Sequence, residues 1–235
     1  MRRPGPFPRW GRGLACAVVG VTLATAAQAQ FGASVAVDSD YRYRGVSLSD
    51  SKPSPRLTLN YDASDRWYAG ASVTRAALTS RDRYAQMLGY AGWATQAVDG
   101  RSFEIGIDAS HFAGIAGYDF AEVFAGLLAE RWSARLYYAP NYYGRHVQVG
   151  YAEFNAHVPL AQHARLFAHV GVLLPLGGVN GDAGKTRSDI SAGAGLALRG
   201  WDLHLAAVAA SRGGPYPAVY GGRRAAIVAG ASFSF

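Results

Sequence analysis

The chain has 235 residues, half of them hydrophobic and 12% aromatic, with only 17% charged and a single cysteine. One cysteine excludes a disulfide framework, and no apolar run reaches the roughly 20 residues that a membrane-spanning helix needs. The formal charge of +7 comes partly from Arg2, Arg3, Arg9 and Arg12 among the acid-free residues 1–29; without them 19 basic residues face 16 acidic ones, leaving +3 and no Lys/Arg run that would point to nucleic acid.

Residues 1–29 read as a secretory signal peptide. The arginines give a basic start, Leu14 to Thr25 a short apolar run, and Ala27-Gln28-Ala29 an A-x-A cleavage pattern. Cys16, the lone thiol, leaves with this segment, so residues 30–235 are expected to hold neither a disulfide nor a thiolate metal site. No cofactor is implied. That remaining stretch shows no linker and no shift in composition, and is read as one all-β domain.

Segments of about ten residues then alternate in hydrophobicity between turn residues, the pattern of a transmembrane β-barrel. The first runs from Phe31 to Tyr43, with Phe31, Ala33, Val35, Val37, Tyr41 and Tyr43 on one face and Ser34, Asp38, Asp40 and Arg42 on the other. Leu57, Leu59 and Tyr61 oppose Arg56, Thr58 and Asn60 in the second, and Trp67, Ala69, Ala71 and Val73 oppose Tyr68, Gly70, Ser72 and Thr74 in the third. The fourth, Tyr84 to Thr95, is Gly- and aromatic-rich and leaves its facing open. Phe103, Ile105 and Ile107 alternate with Glu104, Gly106 and Asp108 in the fifth; Val123 and Leu127 with Glu122 and Phe124 in the sixth; Leu136 and Tyr138 with Arg135 and Tyr137 in the seventh. In the eighth, His146 to Pro159, Val147, Val149 and Tyr151 read as outward, with a phase slip near Glu153. The ninth sets Leu166, Ala168, Val170 and Val172 outward, with Arg165 and His169 inward. The tenth sets Ile190, Ala192 and Ala194 against Ser191, Gly193 and Gly195, and the eleventh Trp201, Leu203 and Leu205 against Asp202 and His204. The twelfth, Ala225 to Phe235, stops on an aromatic residue. As the closing strand of a barrel it would pair with the first and leave no edge.

Twelve is an even count, and connection length follows strand parity. The links around Ala63, Val98, Glu130, Gln162 and Gly200 are short, whereas Gly45–Pro53, Pro175–Arg187 and Arg212–Arg223 are long. Short turns at one end and long loops at the other are the periplasmic and extracellular ends of an outer-membrane barrel. A soluble sandwich shows the same alternation but has no reason for that parity. Trp67, Trp132 and Trp201 each follow a short turn, and with Trp93 and Tyr138 they suit interfacial girdles.

Ser39-Asp40-Tyr41-Arg42-Tyr43-Arg44-Gly45-Val46-Ser47, then Ser51-Lys52-Pro53, resembles the opening motif of the Gcw_chp or TorF-type porin family of Gram-negative outer-membrane proteins, and Trp67-Tyr68-Ala69-Gly70-Ala71-Ser72 resembles its next recurring segment. The likeness is sharpest from Val35 to Val73. It implies an outer-membrane β-barrel and passive transport, and it supplies no substrate.

Charged residues within barrel strands belong on the lumen face. The expected lining is Asp38, Asp40, Arg42, Arg44, Arg56, Glu104, Asp108, Glu122, Arg135 and Arg165, with the first four forming a ladder of same-face side chains roughly 7 Å apart along one strand. Such a lining passes small polar solutes or, alternatively, pins a filled barrel. The expected partners are outer-membrane lipid on the outside, small polar solutes within, and the barrel-assembly machinery at the strand ending in Phe235. No nucleotide-binding loop is present, so transport reads as passive. An outer-membrane hydrolase is the competing class, with Ser110 and His111 as nucleophile and base beside Asp108 and Asp119. Neighbours in a strand point to opposite faces, which argues against that pair. His157, His163 and His169 recur every six residues but straddle a turn, and Asp182 and Asp189 lack the spacing of a calcium loop.

Overall fold

The computed structural model describes residues 30–63, 65–77, 84–96, 99–178, 181–215 and 223–235. The expected signal peptide, residues 1–29, and with it Cys16, lies outside the described residues. Twelve antiparallel strands close into a barrel: β1 (Gln30–Asp38), β2 (Ser54–Asp62), β3 (Trp67–Ala76), β4 (Tyr84–Gln96), β5 (Ser102–Ala113), β6 (Phe120–Leu128), β7 (Trp132–Ala139), β8 (Gln148–Pro159), β9 (Ala164–Gly177), β10 (Arg187–Leu198), β11 (Trp201–Ala210) and β12 (Ala225–Ser234). Each pairs with its sequence neighbours. β1 pairs with both β2 and β12, in the register Val35↔Phe233 and Val37↔Ala231, and the Phe235 amide donates to the Ala33 carbonyl at 3.0 Å. The terminal strand therefore closes the sheet, as its alternation requires, and no edge is left to seek another partner.

Connections 63–66, 97–101, 129–131, 160–163 and 199–200 are short, whereas 39–53, 140–147, 178–186 and 211–224 are longer. Strand parity and connection length thus sort as expected, giving a short-turn end and a long-loop end. Ile105, Ile107, Val123, Leu136, Ile190, Leu205 and Ile227 stand exposed around the outside. Their in-strand neighbours Glu104, Glu122, Arg135, Asp189, Asp202 and His204 are buried within. The sheet is thus apolar outside and charged inside, the reverse of a water-soluble barrel.

β4 settles on one phase. Met87 faces out and Gln86 is buried, so Tyr90 and Gly92 share the interior. Gly92 is required there by close approach: a Cβ would meet the Tyr68 ring at 2.5 Å.

Two expected facings are corrected. β1 ends at Asp38, not at Tyr43, and Tyr41 and Tyr43 are buried inside the barrel rather than turned outward. The chain leaves the sheet at residue 39 and folds back on itself where Arg44 and Gly45 both adopt positive φ, 50° and 75°. That is the two-residue type I′ pattern, which turns the chain back into a hairpin. Val147, just before β8, and Val149 and Tyr151 within it are buried inside together with Glu153, and Phe154 and Val158 are the outward residues. No slip occurs at Glu153; the one irregularity lies between Gln148 and Val149. The apolar residues of this strand end face inward because the long-loop end of the lumen is itself an apolar core. Tyr41, Tyr43, Leu48, Phe112, Phe120, Tyr142, Tyr143, Val147, Val149, Tyr151 and Leu173 pack there as one cluster.

Candidate functional site: a charged lumen under an inward-folded loop

The long-loop end is filled by two connections that fold into the barrel. The first, 39–53, carries a two-stranded ribbon in which Arg42 pairs with Ser47 and Tyr43 with Val46. It is tied to the wall by the Ala77 amide donating to the Leu48 carbonyl at 2.7 Å and by Tyr41 Oη donating to Gln86 Oε1 at 3.0 Å. At its base Asp40 accepts from Arg42 Nε (2.7 Å), Ser47 Oγ (2.5 Å) and Ser49 Oγ (3.2 Å). The ribbon tip sits against the wall so closely that a Cβ on Gly45 would lie 2.7 Å from the Asp189 Cβ and 2.8 Å from that of Ala210. The second connection, 140–147, turns through a short 3-10 helix, Tyr142–Gly144. It inserts Tyr142 and Tyr143, both fully buried, against the Phe120 ring at centroid distances of 4.9 and 4.7 Å.

Type I′ geometry sends successive side chains of the ribbon to different destinations. Arg42 stays at the rim and donates to the Arg223 carbonyl at 2.9 Å. Arg44 reaches across the lumen to Glu122 on β6, with Nη1–Oε1 at 2.9 Å and Nη2–Oε2 at 2.6 Å, a forked pair. Tyr43 Oη donates to the same carboxylate at 3.0 Å; burial raises this phenol well above its ordinary value, which keeps the proton in place. The guanidinium lies over the Tyr151 ring at 4.0 Å and within 5.5 Å of the Tyr43, Tyr137 and Tyr142 centroids. Facing Glu122 in register on β5 is Asp108, whose buried Oδ1 has no hydrogen-bond partner among the described residues.

Nearer the short-turn end, Arg135 pairs with Glu104 and lies 3.8 Å from Glu153, while Tyr68 Oη donates to Glu104 at 2.8 Å. Arg165 forks onto Asp202 at 2.7 and 2.9 Å. Arg56 reaches Asp38 at 2.9 Å, with His204 3.4 Å from the same carboxylate. His169 bridges Asn155 and Asp189, each at 2.8 Å.

Six of the ten residues expected to line the lumen, namely Arg56, Glu104, Asp108, Glu122, Arg135 and Arg165, lie on strands and face inward, joined by Asp38 at the end of β1. The other three, Asp40, Arg42 and Arg44, do not continue a strand ladder. The hairpin turn places them in the loop, with Arg42 at the rim and Arg44 deep inside. Sequence reasoning missed the acceptors in β8 and β10, Glu153 and Asp189, and the tyrosine cage. Glu153 itself was the signal: a carboxylate in a barrel strand belongs inside, and counting back by two places Tyr151 and Val149 beside it.

Ser110 and His111 do not meet. Ser110 is buried and accepts from Gln86 Nε2 at 2.6 Å, while His111 lies outside, 2.6 Å from Asp119. Among the described residues no group of three His, Cys, Asp or Glu side chains is arranged to hold a metal.

The barrel is similar to solved membrane barrels at very low sequence identity. The KdgM porin aligns with a TM-score of 0.56 at 10% identity, over 87% of this chain and 99% of that one. The KdgM porin in complex with disordered oligogalacturonate aligns at 0.51 and 9%, over 88% and 99%. A chain from work on in-meso crystallisation of membrane proteins aligns at 0.54 and 8%, over 88% and 83%. These likenesses establish the fold. No curated protein matches the sequence. The model of the Gcw_chp family, bacterial proteins of unknown function, matches residues 23–208, and the chain belongs to that family.

Proposed function

We propose that this chain is an outer-membrane channel for the passive diffusion of small hydrophilic solutes, closed at its extracellular end by the inward-folded loop 39–53. The observation that carries this reading is the opposition of faces: an apolar belt surrounds a lumen whose charges run from Arg165 near the short turns to Glu122 under the loop. A barrel meant only as an anchor has no use for so many buried charges, since each costs desolvation that a hydrophobic filling avoids. Residues 1–29 would direct export and be removed. The short turns would face the periplasm, and the strand ending in Phe235 would be what the barrel-assembly machinery recognises. The TorF-type porin assignment belongs to the same proposal.

Liposome swelling tests it. Refolded residues 30–235 should admit small sugars and amino acids slowly, and a variant with residues 40–51 replaced by a short Gly/Ser linker should admit them much faster. The packed lumen favours one other reading, a structural barrel that never conducts; a loop-replaced variant that folds yet leaves liposomes impermeable would establish that instead.

A further inference from the structure

The Arg44 site has the form of a recognition site with a tethered occupant. Its walls come from four barrel strands and do not depend on the loop: Asp108 on β5, Glu122 on β6, Tyr137 on β7 and Tyr151 on β8. Among the described residues the loops contribute Tyr43 and Tyr142. Gly171 on β9 makes room for the floor of the cage, since a Cβ there would come 2.6 Å from the Tyr151 Cζ. What this cage selects is specific. The two Glu122 oxygens accept two parallel N–H groups, the geometry that a planar guanidinium matches and a spherical ammonium does not. The tyrosine faces around it favour a flat, weakly hydrated cation. Asp108 adds a second carboxyl group beside Glu122, with a buried oxygen that no described group hydrogen-bonds and that a further N–H donor could meet.

We propose that the cage formed by Glu122, Asp108, Tyr137 and Tyr151 is a binding site for small solutes bearing a guanidinium group, and that Arg44 is its resident internal occupant. The inference rests on the channel reading for its physiological meaning, because a solute that takes the cage must displace Arg44 and so releases the ribbon tip. Binding and loop release are then one linked equilibrium: whatever the solute gains in the cage is set against what Arg44 loses. Because Arg44 is tethered at high effective concentration, the wild type should bind such solutes weakly and Arg44→Ala tightly.

Calorimetry in detergent micelles, with methylguanidinium as probe and acetate as control, tests this without requiring conduction. Arg44→Ala, shown to be folded by its heat-modifiable gel mobility, should bind methylguanidinium saturably at one site, at least tenfold more tightly than the wild type, and should not bind acetate. Arg44→Ala combined with Glu122→Gln should lose that binding. If Arg44→Ala refolds poorly, methylguanidinium should restore the folded band saturably. In the wild type, the same cation should raise the rate of tryptic cleavage after Arg42 and Arg44. Absence of saturable binding or rescue in Arg44→Ala, equal binding after Glu122→Gln, or unchanged tryptic cleavage of the wild type would each overturn the proposal. Binding that behaves as expected in a protein that never swells liposomes would overturn the channel reading alone.

Discussion

Inside this barrel the decisive unit is the buried ion pair, and several pairs join strands or loops distant in sequence, as Arg44 with Glu122, Arg135 with Glu104 and Arg165 with Asp202 do. Arg165 and Asp202 are the plainest case: β9 and β11 are not neighbours, and the guanidinium reaches over Gly195 of β10, where a Cβ would lie 2.7 Å from the Arg165 Cζ. Removing one partner of such a pair strands a buried charge, which costs about 3–5 kcal/mol, whereas removing both costs far less. Arg165→Ala should therefore lower the unfolding free energy in lipid vesicles by about 3 kcal/mol, read from urea titration. Adding Asp202→Ala should recover most of the loss; a double variant no better than the single one would count against the pairing. The strand-borne charges were legible in the sequence, because a charge at an alternating position has nowhere to go but the lumen. The partners were not legible, since which arginine meets which carboxylate depends on barrel shear and side-chain reach across strands. Arg44 was the hardest to place. Extending the period-two count through Tyr43 put it on a strand, whereas positive φ at Arg44 and Gly45 turned it into a hairpin tip.

At the level of elements, the strands were read almost residue by residue, and the errors fall where the inside of the barrel changes character. Alternation alone cannot tell lipid from an apolar core, so Val149 and Tyr151 carried the same signal as true outward residues such as Phe154. The ribbon 42–47 decides how the long-loop end is sealed, and Gly45 is the residue that lets it seat. Gly45→Ala adds a methyl within 2.8 Å of two wall Cβ atoms and burdens a positive φ. The expected result is a folded barrel with a dislodged ribbon. Trypsin should cut the refolded variant after Arg42 or Arg44 at least tenfold faster than the wild type, with unchanged heat-modifiable mobility. Equal cleavage rates would mean that the tip contact does not hold the loop.

For the molecule as a whole, sequence parity and alternation specify a closed sheet with an apolar exterior, and the fold follows from what surrounds it. Backbone groups in hydrocarbon must all be paired within the sheet, which closure of β1 on β12 achieves. The exposed Ile, Leu and Val belt gains its stability only against lipid. Trp67, Trp93, Trp132 and Trp201 gather near the short-turn end, Trp67 paired with Trp93 and Trp201 against Phe233 at 5.1 Å. These four are the only tryptophans in residues 30–235. The whole account depends on acyl chains touching that outer face, and tryptophan fluorescence of the refolded protein in vesicles of brominated lipid tests this most directly. The account predicts strong quenching by lipid brominated near the glycerol end and weaker quenching by lipid brominated at the chain terminus. Emission indifferent to both lipids, with the protein monodisperse in buffer free of detergent, would contradict it.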